Sequence, residues 1–530
     1  MTSALLLAGT AFADDFGDFG GFDDEASSGT GSALEVSGTA SLEGRAYVDT
    51  KDDEEVEVKG LPAGKLDLSY SGNNSDFLLS LSMDAEKIKA NPEDIIDELV
   101  LRGRLNDYLT LEAGKMKVVW GKGDKLHVLD NFNADNYSDF IIPDYLDRRV
   151  STPMVRGIIS LPVANLNVEG VYTPLLPTDR FALDGRWMPA QVGALKTVAT
   201  ASATNYVKTL VTDCETYRTG LAAATTLAKS SQEQAKAYAA AGDLANAQKY
   251  AAAAKKAAAE AESYKSKLTA ADTAYTMALN NAGTLADNIY PDLWTLKYGQ
   301  FGGRATWTLC QVDMGISYYN GWYKQPSFNG EKLDKYIKTY LANGKVSEDD
   351  KFLAYDKKQT FGVEASSIIW HFNVRGEFAY NLTDDSDGTN PWVHNNSIGW
   401  LGGFDIDLPF ANANLNVQET GTLILKGDEC DKNHDDQKAD VDYGVNGYTN
   451  NKIVANLTTS FMNDKVLPEV TVLYGIENKD LVVMPKLSYK ADQNFTLIAS
   501  GMIINCGDDN SEFKAWEKNS FVSVGAKYQF

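Results

Sequence analysis

The sequence predicts an all-β fold: a transmembrane antiparallel β-barrel of about 18 strands, with an α-helical hairpin inserted in an extracellular loop. Three observations predict it. Segments of about ten residues alternate apolar and polar positions through most of the chain, as strands with one greasy face do. Every second connection between them is a tight polar turn, while those in between are mostly long. No run approaches the roughly 18–20 apolar residues of a spanning helix, so a membrane-embedded chain has to satisfy its backbone in a sealed sheet.

Residues 1–13 carry an apolar core, Ala4 to Ala8, and Ala11-Phe12-Ala13 ahead of Asp14-Asp15. Such a small-x-small site marks them as the remnant of a signal peptide; the missing basic segment places the true start upstream. Residues 14–32 are acidic and rich in Gly and Phe, a periplasmic linker. Strands 1–7 and their loops are expected over residues 33–192, opening with Leu34, Val36, Gly38, Ala40 and Leu42 on one face. The tight turns read Gly72-Asn73-Asn74-Ser75, Asn106-Asp107 and Val163-Ala164-Asn165, then Gln311-Val312-Asp313, Trp370-His371, Ala411-Asn412, Asp464-Lys465 and Asp492-Gln493-Asn494. Long connections run from Asp49 to Pro62, Gly121 to Thr152, Pro326 to Lys357, Asn381 to Asn395, Lys426 to Asn451 and Cys506 to Asn519. A soluble sandwich alternates too, but it does not sort loop length by rim. An even strand count returns both termini to the periplasmic side of a bacterial outer membrane.

The period breaks over residues 193–290. From about Thr200 to Asn288 the chain is rich in Ala, Lys, Gln and Glu, strong helix formers. Val207, Leu210, Cys214, Tyr217, Leu221, Ala224 and Ala228 keep the three-four spacing of a coiled-coil seam. Gly242 ends this arm and Asp243 caps the next, whose seam is read as Leu244, Ala247, Ala251, Ala254, Ala258 and Ala261. Residues 291–530 hold the remaining strands, closing with Val522, Val524, Ala526, Tyr528 and Phe530.

A net charge of −24 argues against nucleic acid as a partner. Four cysteines with no Cys-x-x-Cys are too few for a disulfide scaffold; Cys430 and Cys506 fall on one side of the barrel and are able to pair, whereas Cys310 is near the other rim. Asp431-Lys432-Asn433-His434-Asp435-Asp436 begins like a calcium loop, but Asp436 stands where Gly is needed and Asp442 where Glu is. Gly121-x-Gly123 lacks the rest of a phosphate-binding loop. Neither metal nor cofactor is expected. His127, His371, His394 and His434 are scattered between rims with no hydrolase motif, so the chain is not read as an enzyme.

If apolar positions face lipid, Arg102, Arg104, Arg156 and Arg304 face the lumen on strands 4, 6 and 8. Strand 5 adds Lys115 or Lys117, depending on a bulge at Gly114. Glu364, Glu377, Asp405, Asp407 and Glu469 face inward farther round, so a basic wall opposes a more acidic one. The plainer expectation is that these charges pair with cross-strand neighbours.

The richest loop contains Trp120-Gly121-Lys122-Gly123-Asp124, Asp130-Asn131-Phe132-Asn133 and Asp147-Arg148-Arg149. Over Leu101 to Trp187 it resembles an outer-membrane family similar to alginate-export and phosphate-selective porins; the helical insertion departs from that pattern. The resemblance implies a porin-like channel with this loop folded inward. Lys115, Lys117, Arg148, Arg149 and Arg156 would then meet an anionic solute. Lys115 stands where the family often has Arg and presents a point-charge ammonium in place of a bidentate fork. The ending with Gly525, Tyr528 and Phe530 resembles the signal that outer-membrane barrels present to the barrel-assembly machinery. The expected function is passive diffusion of small hydrophilic solutes through an outer-membrane porin. The alternative is a surface adhesin or structural barrel whose hairpin meets an extracellular partner.

Overall fold

The computed structural model describes residues 34–48, 56–139, 148–285, 288–432, 449–508, 511 and 513–530. The signal remnant, the acidic linker, the Asn433–Asp436 part of the calcium-like stretch and the Cys430 side chain lie outside the described residues.

The alternating segments form strands β1 (Leu34–Tyr47), β2 (Val58–Ser71), β3 (Ser75–Asp84), β4 (Ile96–Arg104), β5 (Leu109–Met116) and β6 (Thr152–Leu161). They continue as β7 (Leu166–Thr173), β8 (Gln300–Leu309), β9 (Val312–Trp322), β10 (Lys357–Ile369), β11 (Phe372–Leu382) and β12 (Ser397–Asp407). The last six are β13 (Asn414–Ile424), β14 (Thr449–Thr458), β15 (Val466–Gly475), β16 (Leu481–Lys490), β17 (Phe495–Asn505) and β18 (Phe521–Gln529). Each pairs antiparallel with its sequence neighbours, and β1 also pairs with β18, so the 18-stranded sheet is closed and has no free edge. The seam runs from Thr39 opposite Gln529 to Tyr47 opposite Phe521. Gly38 and Phe530 extend it by exchanging two backbone hydrogen bonds of 3.0 Å.

Alternation sorts the faces. On β10, Phe361 and Val363 are exposed outward while Thr360 and Glu364 are buried inward; on β18, Val522, Val524 and Tyr528 face out and Ser523 faces in. The same outward set holds Leu42, Leu101, Val155, Phe301, Ile316 and Leu487. Such a continuous exposed apolar band is stable against hydrocarbon and costly against water. On β13 this face also carries Glu419, whose carboxylate accepts from the Trp400 indole Nε1 at 3.2 and 3.1 Å.

Tight turns join even strands to the following odd ones. Between β8 and β9 the turn is Cys310–Gln311, both left-handed (φ 52° and 66°), and Val312 and Asp313 already belong to β9, which moves the expected turn back. Ala411 and Asn412 repeat the geometry with φ 50° and 48°. Paired left-handed residues match the right-handed twist of a hairpin, so twist is satisfied here at some local steric cost. The other rim carries the long connections, except the short 476–480 link between β15 and β16.

The chain divides into two compact units, the barrel and a helical unit made of Gln191–Asp292 and Phe328–Ala354. The latter contains most of α1 (Ala190–Ala240), all of α2 (Leu244–Ala282) and α3 (Gly330–Asn343). Helix α1 starts about ten residues before the alanine-rich run. Gly242, at φ 81°, ends the reversal, and the Asp243 side chain accepts from the Asn246 amide at 3.1 Å. The α1 seam includes buried Leu210, Cys214 and Ala224. On α2 half of the expected seam holds: Ala247, Ala254 and Ala261 are partly buried, with Ala257 and Ala271 buried and Tyr250 and Tyr264 partly so, while Leu244, Ala251 and Ala258 are exposed. Alanine recurs on every face of that helix, so spacing alone does not fix its phase. The stretch from Pro326 to Lys357, expected as plain loop, holds α3, capped by the Asn329 side chain and ended by left-handed Gly344. Its Leu333, Tyr336, Ile337, Tyr340 and Leu341 form a core with Leu210 and Ala278.

Candidate functional site: a loop across the lumen

Beyond β5 the chain turns into the barrel. Asn133 ties the two ends of this segment: its Oδ1 accepts from the Val118 amide at 2.8 Å, and its Nδ2 donates to the Met116 and Val150 carbonyls at 3.0 Å. Between those ends the backbone bends at Gly121, φ 115°, where a Cβ would strike the Glu377 carboxylate. Glu377, on β11, accepts four loop amides: Lys122 and Gly123 at 2.7 Å on Oε1, Val128 at 2.9 Å and Leu129 at 3.3 Å on Oε2. Next to it on the wall, Gln418 of β13 accepts from the Lys125 and Leu126 amides at 3.1 Å. Asp124 bonds Arg375 and accepts from Asn416 Nδ2 at 2.5 Å. A carboxylate bound by several amides holds a turn as firmly as a helix cap does, because each bond is charge-assisted.

The loop also brings apolar surface into the lumen. Leu126 is fully buried, with Val128 packed beside it, against Leu401, Val454, Leu473, Val482, Met502 and Ile504 of β12 and β14–β17. On the other side Val118, Trp120 and Phe132 pack with Leu78, Val100, Met116, Met154, Val171 and Tyr319. These wall positions face inward by alternation yet are apolar, because the loop rather than water covers them. His127 is buried at 3.7 Å from Glu377 Oε1. Burial first, then the Arg149 and Arg148 guanidiniums, push its pKa well below the usual imidazole value.

Arg102, Arg104, Arg156 and Arg304 are inward, and each meets a carboxylate. Arg104 Nη2 lies 2.7 Å from Asp76, Arg102 Nε 2.8 Å from Glu112, and Arg156 reaches Glu112 at 3.2 Å and Glu169 at 2.9 Å. Arg304 bonds Glu364. Glu169 also accepts from Trp120 Nε1 at 2.9 Å, tying the loop to this ladder. Asp76, Glu112 and Glu169 escaped the sequence reading. Their signal lies in register, since Arg102 is opposite Glu112 and Glu112 opposite Arg156. Over β3–β10 these charges form a belt of alternating sign, paired across strands.

Lys115 faces outward with Leu111 and Ala113, because β4 and β5 stay in register through Gly114; the shift sits between Ser80 and Leu81 instead. Its Nζ reaches the Glu93 and Ile96 carbonyls at 2.8 and 2.7 Å and Asp94 at 3.4 Å. Lys117 Nζ is 3.1 Å from Asp97. Arg149 bonds Asp130 and Arg148 lies 3.5 Å from Asp135, so both buried guanidiniums brace the loop itself. Asp405 bonds Arg375, and Asp407 accepts from Asn414 Nδ2 at 2.9 Å near the tight-turn rim.

No protein-family model matches the sequence, and no curated protein is similar to it. Among solved structures the chain is similar to a mutant of the Rh. blastica porin, at 8% identity and TM-score 0.34 over 94% of this chain and 100% of that one. A BenF-like porin from Pseudomonas fluorescens Pf-5 is similar at 9% identity and TM-score 0.40, covering 94% and 98%. OmpF from Salmonella typhi, solved with daunomycin, stands at 7% identity and TM-score 0.36, covering 94% and 97%.

Proposed function

We propose that the protein is an outer-membrane channel for passive diffusion of small hydrophilic solutes. The observation that carries this reading is a sealed 18-stranded barrel, apolar outside, whose charged lumen is narrowed by its own inward loop. The tight-turn rim, where Leu34 and Gln529 also lie, is the periplasmic one, as in barrels with long extracellular loops. Gly525, Tyr528 and Phe530 at the closing strand would be read by the assembly machinery. Arg102, Arg104, Arg156 and Arg304 belong to the lumen wall but are matched by carboxylates, which argues for polar solutes in general over anions in particular. Purified protein in a planar bilayer should give stepwise ion conductance. A bilayer that stays silent at high protein load overturns the reading.

A second reading is favoured by one observation: the helical unit has a core of its own. Its hairpin would then bind an extracellular partner. Removing residues 193–290 should leave conductance intact and abolish attachment to that partner.

A further inference from the structure

We propose that solutes cross the barrel along β2, and that Lys65 sets the charge preference of this path. The inference rests on the channel reading above and adds the route. Two apolar clusters pack the inward loop into the lumen, one with β12, β14–β18, Tyr47 of β1 and Trp187, Phe513 and Trp516 of the connections, the other with β3–β7 and β9. Strand β2 contributes to neither. Ions do not pass through dry apolar packing, because leaving water costs far more than thermal energy there. A path must follow side chains that keep their hydration.

Strand β2 carries such side chains, as β4 does with Arg104, 37% exposed near the tight-turn rim. Lys65 and Lys59 each retain 40% of their side-chain exposure and Asp67 retains 22%. By contrast Gln418 and Thr471, inward on the far wall, are sealed. Lys65 stands between Thr39 of β1 and Ser82 of β3, its Nζ 3.7 Å from Asp67. That separation is a loose, water-screened pair. Its ammonium is thus available to a passing solute, whereas Arg102 and Arg304 are held by buried carboxylates. Lys59 lies 3.2 Å from Glu57 nearer the long-loop rim, where Arg186 also bonds Glu57. A lining that alternates sign in this way suits neutral and zwitterionic polar solutes, with weak selectivity between small ions.

The test is the reversal potential of single channels in a KCl gradient, for the full chain and for Lys65→Glu, Lys65→Arg and Lys65→Trp. Lys65→Glu should raise the potassium-to-chloride permeability ratio severalfold, Lys65→Arg should match the parent, and Lys65→Trp should lower conductance. Each variant is first checked for a folded barrel by its heat-sensitive migration in detergent gels. If the parent conducts and folded Lys65→Glu and Lys65→Trp leave both selectivity and conductance unchanged, the route is wrong while the channel stands. If the parent itself does not conduct, the channel reading is what fails.

Discussion

Glu377 is where one side chain decides the position of a whole loop. Glu377→Gln keeps shape but removes the charge and one acceptor oxygen, leaving two of the four amides with a poorer partner. A loss of about 2 kcal/mol in loop seating is expected at charge-assisted rates per bond, seen as noisier, higher conductance and as new proteolysis between Gly121 and Leu129. Gly121→Ala should act the same way, since its Cβ would displace that carboxylate. His127 adds a pH dependence whose sign follows from its lowered pKa. Below about pH 6.5 an unfolded imidazole binds a proton that the seated one refuses, so seating weakens as pH falls through that range. His127→Leu should flatten the acid side of a conductance-noise profile; an unchanged profile would remove His127 from the account. None of these partnerships was legible in the sequence. Parity alone places Glu377 inward, but which of the 35 residues between β5 and β6 (117–151) reaches it depends on the path of the backbone, which alternation does not encode.

Helices and strands differ in how much their residues reveal. The β18 alternation from Val522 to Phe530 and the α1 seam from Val207 to Ala228 are periodic in side chains of contrasting character, so their phase is read directly. Helix α2 has alanine at 15 of its 39 positions, on all faces, and the tyrosines mark its seam, with Gly220 packed beneath the Tyr264 ring. That assignment is testable: Ala257→Glu buries a charge against α1 and should cost about 3 kcal/mol, whereas Ala258→Glu should be near neutral. Thermal melts of the α-helical circular dichroism signal would separate the two; equal effects would contradict the seam. Helix α3 was missed although Asn329, Gly344 and the spacing of Leu333, Tyr336, Ile337, Tyr340 and Leu341 all announced it. Its 14 residues were overshadowed by the rule that long connections are loops.

For the molecule as a whole, strand number and rim sorting were visible because a membrane imposes one periodicity on every strand, while the lumen imposes none. Inward positions switch between arginine, glycine and valine according to what lies opposite, as Arg304, Gly302 and Val171 do on neighbouring strands. Removing β18, Phe521 onward, should leave a sheet with two raw edges, detectable as loss of heat-sensitive gel migration. The seam it closes joins Thr39 to Gln529, nearly the whole polypeptide apart. A contact of such separation closes a loop of nearly the whole chain, which makes it entropically costly and slow to form. Until then the sheet has two unpaired margins, and a margin of that kind is a template for pairing with any other chain that meets it in water.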